Sequence, residues 1–312
     1  TCLNHGCIPS KALISAADVA HDAREAAAMG VFADPAVDMA AMSEWKDGVV
    51  TRLTRGVESL CASAGVNLIE GTAEFVDRET VRVAHGGAGQ GSETIAFEHA
   101  VVATGSRPVE LPDLPFAEEP ICSSREALAL ETVPDELLVV GAGYIGMELS
   151  TVFAKLGSDV TVVEMLDDVL PGYGDDVARV VRRRAESLGV EFAFGEGATG
   201  WREGADGGVV VATETEDGAT STYAADRVLV AVGREPVTDT LDVGNAGRWV
   251  ASHRSHRPAG RSTGDVRSAC SVVPYTYLYS FGTGEGTTNM AGHENRRFSG
   301  AYSWDPVWIA RK

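Results

Sequence analysis

The sequence predicts an α/β protein of two or more domains. A chain of 312 residues is long enough for more than one domain, and 44% hydrophobic residues can form real cores. Residues 136–164 have the pattern of a buried strand, a glycine-rich turn, a helix and a second strand. A cysteine-containing helix start opens the chain at residues 1–11.

Composition excludes several classes of function. The formal net charge of −19 argues against nucleic-acid binding, which needs a basic surface. No apolar run approaches the roughly twenty residues of a membrane span. The five cysteines are too few and too scattered for a secreted disulfide scaffold, so we expect a cytoplasmic protein. Three of them are predicted to be ordinary thiols: Cys61, Cys122 and Cys270.

The first eleven residues, Thr-Cys-Leu-Asn-His-Gly-Cys-Ile-Pro-Ser-Lys, contain a candidate catalytic pair, Cys2 and Cys7. Pro9 and Ser10 predict a helix start just after Cys7, because proline is tolerated in a first helical turn. Unpaired N–H groups and the helix dipole favour a thiolate there. Two unrelated cysteines, or half of a zinc site, are the alternatives. No second cysteine pair or suitable histidine cluster supplies the about four ligands that zinc needs.

Secondary structure then alternates along the chain. Helices are predicted over Lys11–Met29 and Asp38–Ala64, separated by Pro35 and ended by Gly65. A period of two predicts the next strands over Asn67–Val76, Thr80–Ala84 and Glu93–Phe97. Residues 98–108 hold a short apolar strand followed by Thr104, Gly105 and Ser106, where glycine lets the backbone approach a ligand closely.

The strongest internal motif is Gly-Ala-Gly-Tyr-Ile-Gly, which follows the strand Glu136–Val140. Gly141 is predicted to make a tight turn, Gly143 to admit a pyrophosphate, and Gly146 to let helix and strand pack closely. The next strand ends in Glu164, about twenty residues further on, where an acid binds the adenine ribose. This context predicts a Rossmann-type dinucleotide domain; the alternative is a glycine-rich turn in an unrelated α/β unit.

Glu164 also predicts which nicotinamide is used. Its carboxylate would accept hydrogen bonds from both ribose hydroxyls and repel a 2′-phosphate, and no arginine occurs in residues 165–168. We therefore expect NAD and not NADP. The run Arg182-Arg183-Arg184, on a predicted helix over Asp175–Leu188, is interpreted as a solvated face and not as a phosphate site.

Residues 2–11 resemble the redox-active segment of the flavoprotein disulfide reductases. The ending Ile-Pro-Ser-Lys is most similar to the dihydrolipoamide dehydrogenases among the class I pyridine nucleotide-disulfide oxidoreductases. The resemblance implies that Cys2 exchanges disulfides with the substrate, that Cys7 contacts the flavin of FAD, and that Lys11 lies beside the flavin. It implies an FAD domain of the glutathione-reductase type in addition to the NAD domain with its three-layer sheet.

The same resemblance assigns further cofactor contacts. Thr104, Gly105 and Ser106 would lie against the flavin, and Ala73 near the adenine of FAD. Glu148 would lie near the nicotinamide, although a helix-surface acid is the alternative. The remaining NAD contacts would be Gly141, Gly143, Tyr144, Ile145, Gly146, Glu164 and Gly233, the last in Gly-Arg-x-Pro.

The resemblance covers about residues 1–244. It implies a partial FAD domain with the redox disulfide over 1–114 and an NAD-binding Rossmann domain over 115–239. Residues 240–312 are predicted to be a divergent tail, frameshifted or disordered, because basic residues outnumber acidic ones after Gly247. We recognise neither the family's N-terminal FAD-pyrophosphate motif nor its C-terminal interface domain with the His–Glu base.

The activity implied is NAD-dependent oxidation of protein-bound dihydrolipoamide through the cysteine pair and FAD. The partners implied are the lipoyl domain of a 2-oxo acid dehydrogenase or glycine cleavage complex, and a second copy in the complete protein. Two alternatives stay open: another flavoprotein disulfide or mercuric reductase, and a non-catalytic NAD-binding fragment.

Overall fold

The computed structural model describes residues 1–86, 91–116, 119–204 and 207–247, and the backbone of a short strand at 308–309. The other residues of the predicted tail, with Cys270, lie outside the described residues. The chain forms two compact units. Of the described residues, the first comprises Thr1–Cys2, Arg55–Arg107 and those from Glu235 onward, and the second comprises Leu3–Thr54 and Pro108–Arg234. The domain boundaries predicted at residues 114 and 239 stay a prediction.

Helices in the described part of the chain begin and end close to the predicted positions. α2 begins at Cys7, and α3 ends beside Gly65, which has a left-handed φ of 69°. A 3₁₀ turn, Ala26–Met29, follows α2. None of the described helices is long and apolar enough to cross a membrane. Their bounds are α1 Cys2–His5, α2 Cys7–Glu25, α3 Met39–Ser63, α4 Ser124–Ala127, α5 Tyr144–Leu156 and α6 Asp175–Ser187.

The strands are β1 Thr72–Phe75, β2 Thr80–Ala84, β3 Ser92–Ala96, β4 Ala100–Val101, β5 Ser106–Pro108, β6 Ile121–Cys122, β7 Glu136–Val140, β8 Asp159–Glu164, β9 Glu191–Phe194, β10 Glu196–Glu203, β11 Val209–Thr215, β12 Thr220–Ala225, β13 Arg227–Val230, β14 Arg234–Pro236 and β15 Trp308–Ile309. The strand predicted from Asn67 is shorter than expected, because the described strand begins at Thr72. Ser106–Pro108, which follows the apolar strand predicted within residues 98–108, is a separate short strand because it pairs with β14, far along the chain.

The second unit has three layers around a five-stranded parallel sheet with the order β6-β13-β7-β8-β9. One face packs against α2 and α5 through a core that includes Leu13, Val139 and Phe153. The other face packs against the antiparallel sheet β10-β11-β12, with Val140 and Val211 in the shared core. Burial on both faces explains why β7 and β8 are almost continuously apolar. The predicted α/β fold with a three-layer sheet is confirmed.

The first unit contains the antiparallel sheet β1-β2-β3. Its small core is formed by Phe75, Val81 and Leu241, with Ile95 and Phe97 against them. The Phe75 N–H donates to the Leu241 carbonyl at 2.8 Å, which ties the sheet to the segment after β14. β15 pairs antiparallel with β4.

Candidate functional site

Cys2 and Cys7 are joined in a disulfide bond, and Cys7 is the first residue of α2. The Ser10 N–H donates to the Gly6 carbonyl at 3.0 Å and closes the first turn behind Cys7. The two other described cysteines are free thiols. Cys122 is buried, and burial raises the pKa of its thiol to about 12, so it stays protonated near neutral pH.

The helix that begins at Cys7 is fixed to α5. Leu13 and Ala17 on α2 share a buried core with Phe153 on α5. At the rim of this contact, the Lys155 ammonium lies 2.5 Å from the Asp18 carboxylate. These contacts set the position of the first turn of α2 relative to α5 within the second unit.

Lys11 and Glu148, which the sequence suggested separately, meet at the first turn of α2. The Lys11 Nζ lies 2.5 Å from Glu148 Oε1. Ser10 joins them: its Oγ lies 3.3 Å from Glu148 Oε2 and 3.1 Å from the Cys7 carbonyl oxygen. Glu148 is therefore not a lone helix-surface acid. Sequence reasoning missed Ser10, whose partner is 138 residues away; no local signal identifies such a contact.

The glycine-rich loop has the geometry that the motif predicts. Gly141 has a φ of 105°, and a Cβ there would lie 2.8 Å from the Ala231 carbonyl oxygen. A Cβ on Gly146 would lie 2.0 Å from the Gly141 carbonyl oxygen, so helix and loop pack too closely for any side chain. A Cβ on Gly143 would meet no atom within 4 Å. The loop therefore leaves room in front of Gly143, at the start of α5, where Tyr144 and Ile145 form the first turn half-buried against the core.

Glu164 ends β8 beside this loop and is only 7% exposed. One carboxylate oxygen accepts the Ala142 N–H at 2.7 Å, and the other accepts the Leu166 N–H at 3.0 Å. The carboxylate is thus held rigidly at the carboxyl edge of the parallel sheet. Each oxygen keeps a lone pair for a further donor, such as a ribose hydroxyl.

The remaining predicted residues occupy irregular backbone or the small sheet. In the second unit, the Gly233 carbonyl accepts the Val109 N–H at 3.0 Å. In the first unit, Gly105 has a left-handed φ of 77°. The Ser106 N–H donates to the Thr1 Oγ1 at 3.1 Å, and the Thr104 Oγ1 donates to a backbone carbonyl. Ala73 lies half-buried in β1.

The residues present fit the two organic cofactors that the sequence suggests. The open space at Gly143 and the fixed carboxylate of Glu164 suit the pyrophosphate and ribose of a dinucleotide. Of the residues predicted to contact the flavin, Lys11 in the second unit has a half-exposed amine, and Gly105 in the first unit has left-handed backbone without a Cβ. In the part of the chain that the structure describes, no group of three or more histidine, cysteine or acidic side chains could hold a metal ion.

Comparison with known proteins agrees with this geometry. Residues 1–254 match the family described as pyridine nucleotide-disulphide oxidoreductase. Over 245 residues the chain is 74% identical to dihydrolipoyl dehydrogenase 2 of Haloarcula marismortui, covering 78% of this chain and 52% of the relative. It is 65% identical over 247 residues to dihydrolipoyl dehydrogenase of Haloferax volcanii, covering 79% of this chain and 52% of that relative.

Among solved structures, the HOCl-induced flavoprotein disulfide reductase RclA from Escherichia coli superposes with a TM-score of 0.65 at 27% identity, over 80% of this chain and 52% of that chain. The chain thus spans about half the length of the curated relatives it matches.

Proposed function

Because the chain belongs to the pyridine nucleotide-disulphide oxidoreductase family, we propose that it acts as a dihydrolipoyl dehydrogenase, oxidising protein-bound dihydrolipoamide with reduction of NAD. The observation that supports this best is the Cys2–Cys7 disulfide at the start of α2, on the same chain as a dinucleotide-type glycine loop. A relative of that name is 74% identical over the matched residues. Family membership implies FAD and NAD(H) as cofactors.

The cysteine pair would accept two electrons by thiol–disulfide exchange. A thiolate of dihydrolipoamide attacks the Cys2 sulfur, the Cys2–Cys7 bond breaks, and Cys7 leaves as a thiolate. The second substrate thiol, after losing its proton, then attacks the substrate sulfur of the mixed disulfide and releases Cys2. The products are the cyclic disulfide of lipoamide and a reduced cysteine pair. Cys7, at the N-terminus of a 19-residue helix, is placed where the dipole stabilises its thiolate.

When bound, FAD and NAD supply the electron acceptors for this reduced pair. The residues that would hold FAD are Lys11, Ala73, Thr104, Gly105 and Ser106. The residues that would hold NAD are those of the glycine loop, Glu148, Glu164 and Gly233. Glu164 would accept the ribose hydroxyls and disfavour NADP, since its buried carboxylate would face a second negative charge.

A lipoyl domain as substrate carrier, a homodimer and a cytoplasmic location belong to the same proposal. The main competing function is that of another flavoprotein disulfide reductase, which the similarity to RclA supports at a much lower identity. A mercuric reductase is a further alternative, and a non-catalytic NAD-binding fragment is an outcome that the following experiment separates from the proposal.

The test treats the chain with dihydrolipoamide, alkylates it with iodoacetamide and locates the labels by mass spectrometry. We expect labels on Cys2 and Cys7 only after the dithiol treatment, while buried Cys122 stays unlabelled throughout. Calorimetry with NAD and NADP accompanies it, and NAD is expected to bind more tightly. A disulfide that dihydrolipoamide leaves intact, or equal affinity for the two nucleotides, would contradict the proposal. NAD binding with an unreactive disulfide would indicate a non-catalytic fragment.

A further inference from the structure

An arginine lies one strand away from the carboxylate that the proposed function assigns to the adenine ribose. Glu164 and Phe194 are Cα partners in the adjacent parallel strands β8 and β9. Paired residues of neighbouring strands point to the same face, about 4.8 Å apart. The guanidinium carbon of Arg182, on α6, lies 4.6 Å from the centre of the Phe194 ring. Arg182 is therefore held against the last residue of β9, the strand that neighbours the one ending in Glu164.

Two carboxylates neutralise this arginine. The Arg182 Nε donates to Glu186 Oε1 at 2.9 Å, and Arg182 Nη1 lies 3.6 Å from Asp168 Oδ1. The Arg182 side chain is 38% exposed, so the stacked cation is partly shielded from water. In this arrangement the guanidinium offers little net positive charge to a ligand at the edge of the sheet.

Asp168 lies in the segment between β8, which ends in Glu164, and α6. Asp168 Oδ1 accepts the Val169 N–H at 2.8 Å. The Leu170 N–H donates to the Ala142 carbonyl at 2.8 Å and returns the chain to the loop. The position of Asp168 is thus tied to the same backbone that holds the Glu164 carboxylate.

Arg182 and Asp168 also line an open cleft of about 490 Å³. Its lining contains as many arginines as carboxylates: Arg179, Arg182 and Arg183 with Asp168, Asp175 and Glu186. An arginine guanidinium can donate two parallel hydrogen bonds to the oxygens of a phosphate. The cleft would therefore suit a phosphate group if the three carboxylates that line it were removed. The balance of charge in the cleft then decides whether a phosphate near Glu164 is attracted.

We propose that Asp168 and Glu186 are specificity determinants for the dinucleotide, because they neutralise Arg182 and deny a cation to the 2′-phosphate of NADP. The inference rests on the proposed function, which places the adenine ribose at Glu164. Two features then disfavour NADP: Glu164 repels the phosphate directly, and the acid pair occupies Arg182, which stacks on Phe194 in the neighbouring strand. The sequence of residues 165–168 does not indicate that Asp168 pairs with Arg182, because Arg182 lies on the following helix, α6.

The test measures Kd for NAD and NADP by calorimetry on the full chain at one fixed salt concentration, because exposed charges are screened by salt. The double variant Asp168→Asn with Glu186→Gln should lower the ratio of the NADP Kd to the NAD Kd by about fivefold, the size of a partly exposed charge interaction. Adding Arg182→Gln to the double variant should restore the wild-type ratio. Asp167→Asn, which removes one negative charge from an exposed side chain next to Asp168, is the control for the loss of charge and should leave the ratio unchanged.

Three results would overturn the inference: an unchanged ratio in the double variant, an equal shift in the Asp167 control, or a gain that survives loss of Arg182. Each of these leaves the proposed function intact as long as the wild-type chain binds NAD. A wild-type chain that binds neither nucleotide would overturn the proposed function and the inference together. Circular dichroism of each variant confirms that folding is retained.

Discussion

Replacing Gly146 with alanine should destabilise the second unit although alanine is the better helix former. The added Cβ would lie 2.0 Å from the Gly141 carbonyl oxygen, and real Cβ contacts do not fall below 3.0 Å. At least one of two backbone segments must therefore move by about 1 Å. Neither is free to do so, because α5 is packed on the parallel sheet and Gly141 donates its N–H to the Val163 carbonyl at 2.8 Å.

The magnitude follows from two opposing terms. Overpacking a tight site typically costs 1–3 kcal/mol, and a clash with backbone lies near ~3 kcal/mol. Alanine regains about 1 kcal/mol over glycine inside a helix. The free energy of unfolding should therefore fall by about 2 kcal/mol, which in a unit of this size lowers Tm by roughly 4–8 °C.

Gly143→Ala is the matched control. Its Cβ would meet no atom within 4 Å, and its φ of −67° suits any residue. Thermal unfolding should be unchanged, whereas NAD affinity measured by calorimetry should fall by about tenfold, or 1.4 kcal/mol, because the methyl group occupies the space predicted for the pyrophosphate. The reasoning is refuted if Gly146→Ala unfolds at the wild-type temperature, or if Gly143→Ala is destabilised as much.

Three further substitutions test buried polar groups. Lys46, 3% exposed, donates to the Leu128 carbonyl at 2.6 Å, so Lys46→Met should lower the free energy of unfolding by about 1–3 kcal/mol in urea titrations; an unchanged midpoint would contradict this. Burial raises the pKa of Cys122 from 9.0 to about 12. The native thiol keeps its proton where the unfolded one loses it, so stability should fall as pH rises above about 9, and less steeply in Cys122→Ala. Ser10→Ala removes a buried hydroxyl and should cost about 1 kcal/mol, with recovery in Ser10→Thr.

The start of α2 and the glycine-rich turn were predictable because their signals are local. Pro9 fixes a helix start just after Cys7, and the strand, glycines and helix around Gly141 lie within about twenty residues. The motif predicts that Gly146 must be glycine so that helix and strand pack closely. The structure gives the reason, since a Cβ there would lie 2.0 Å from the Gly141 carbonyl oxygen. Such features follow from backbone conformation and nearest neighbours along the chain.

The partners of the site residues could not be predicted, because sheet order and helix packing bring them together. Glu148 meets Lys11 and Ser10 only because α2 packs on α5. The arginine run was interpreted as a solvated face; the Arg182 side chain is partly exposed as expected, but it also stacks on Phe194 and pairs with two acids, which the run itself does not indicate. The Phe194 on which it stacks is paired with Glu164 because β9 lies next to β8, and a periodic pattern predicts that strands exist but not which strands are neighbours.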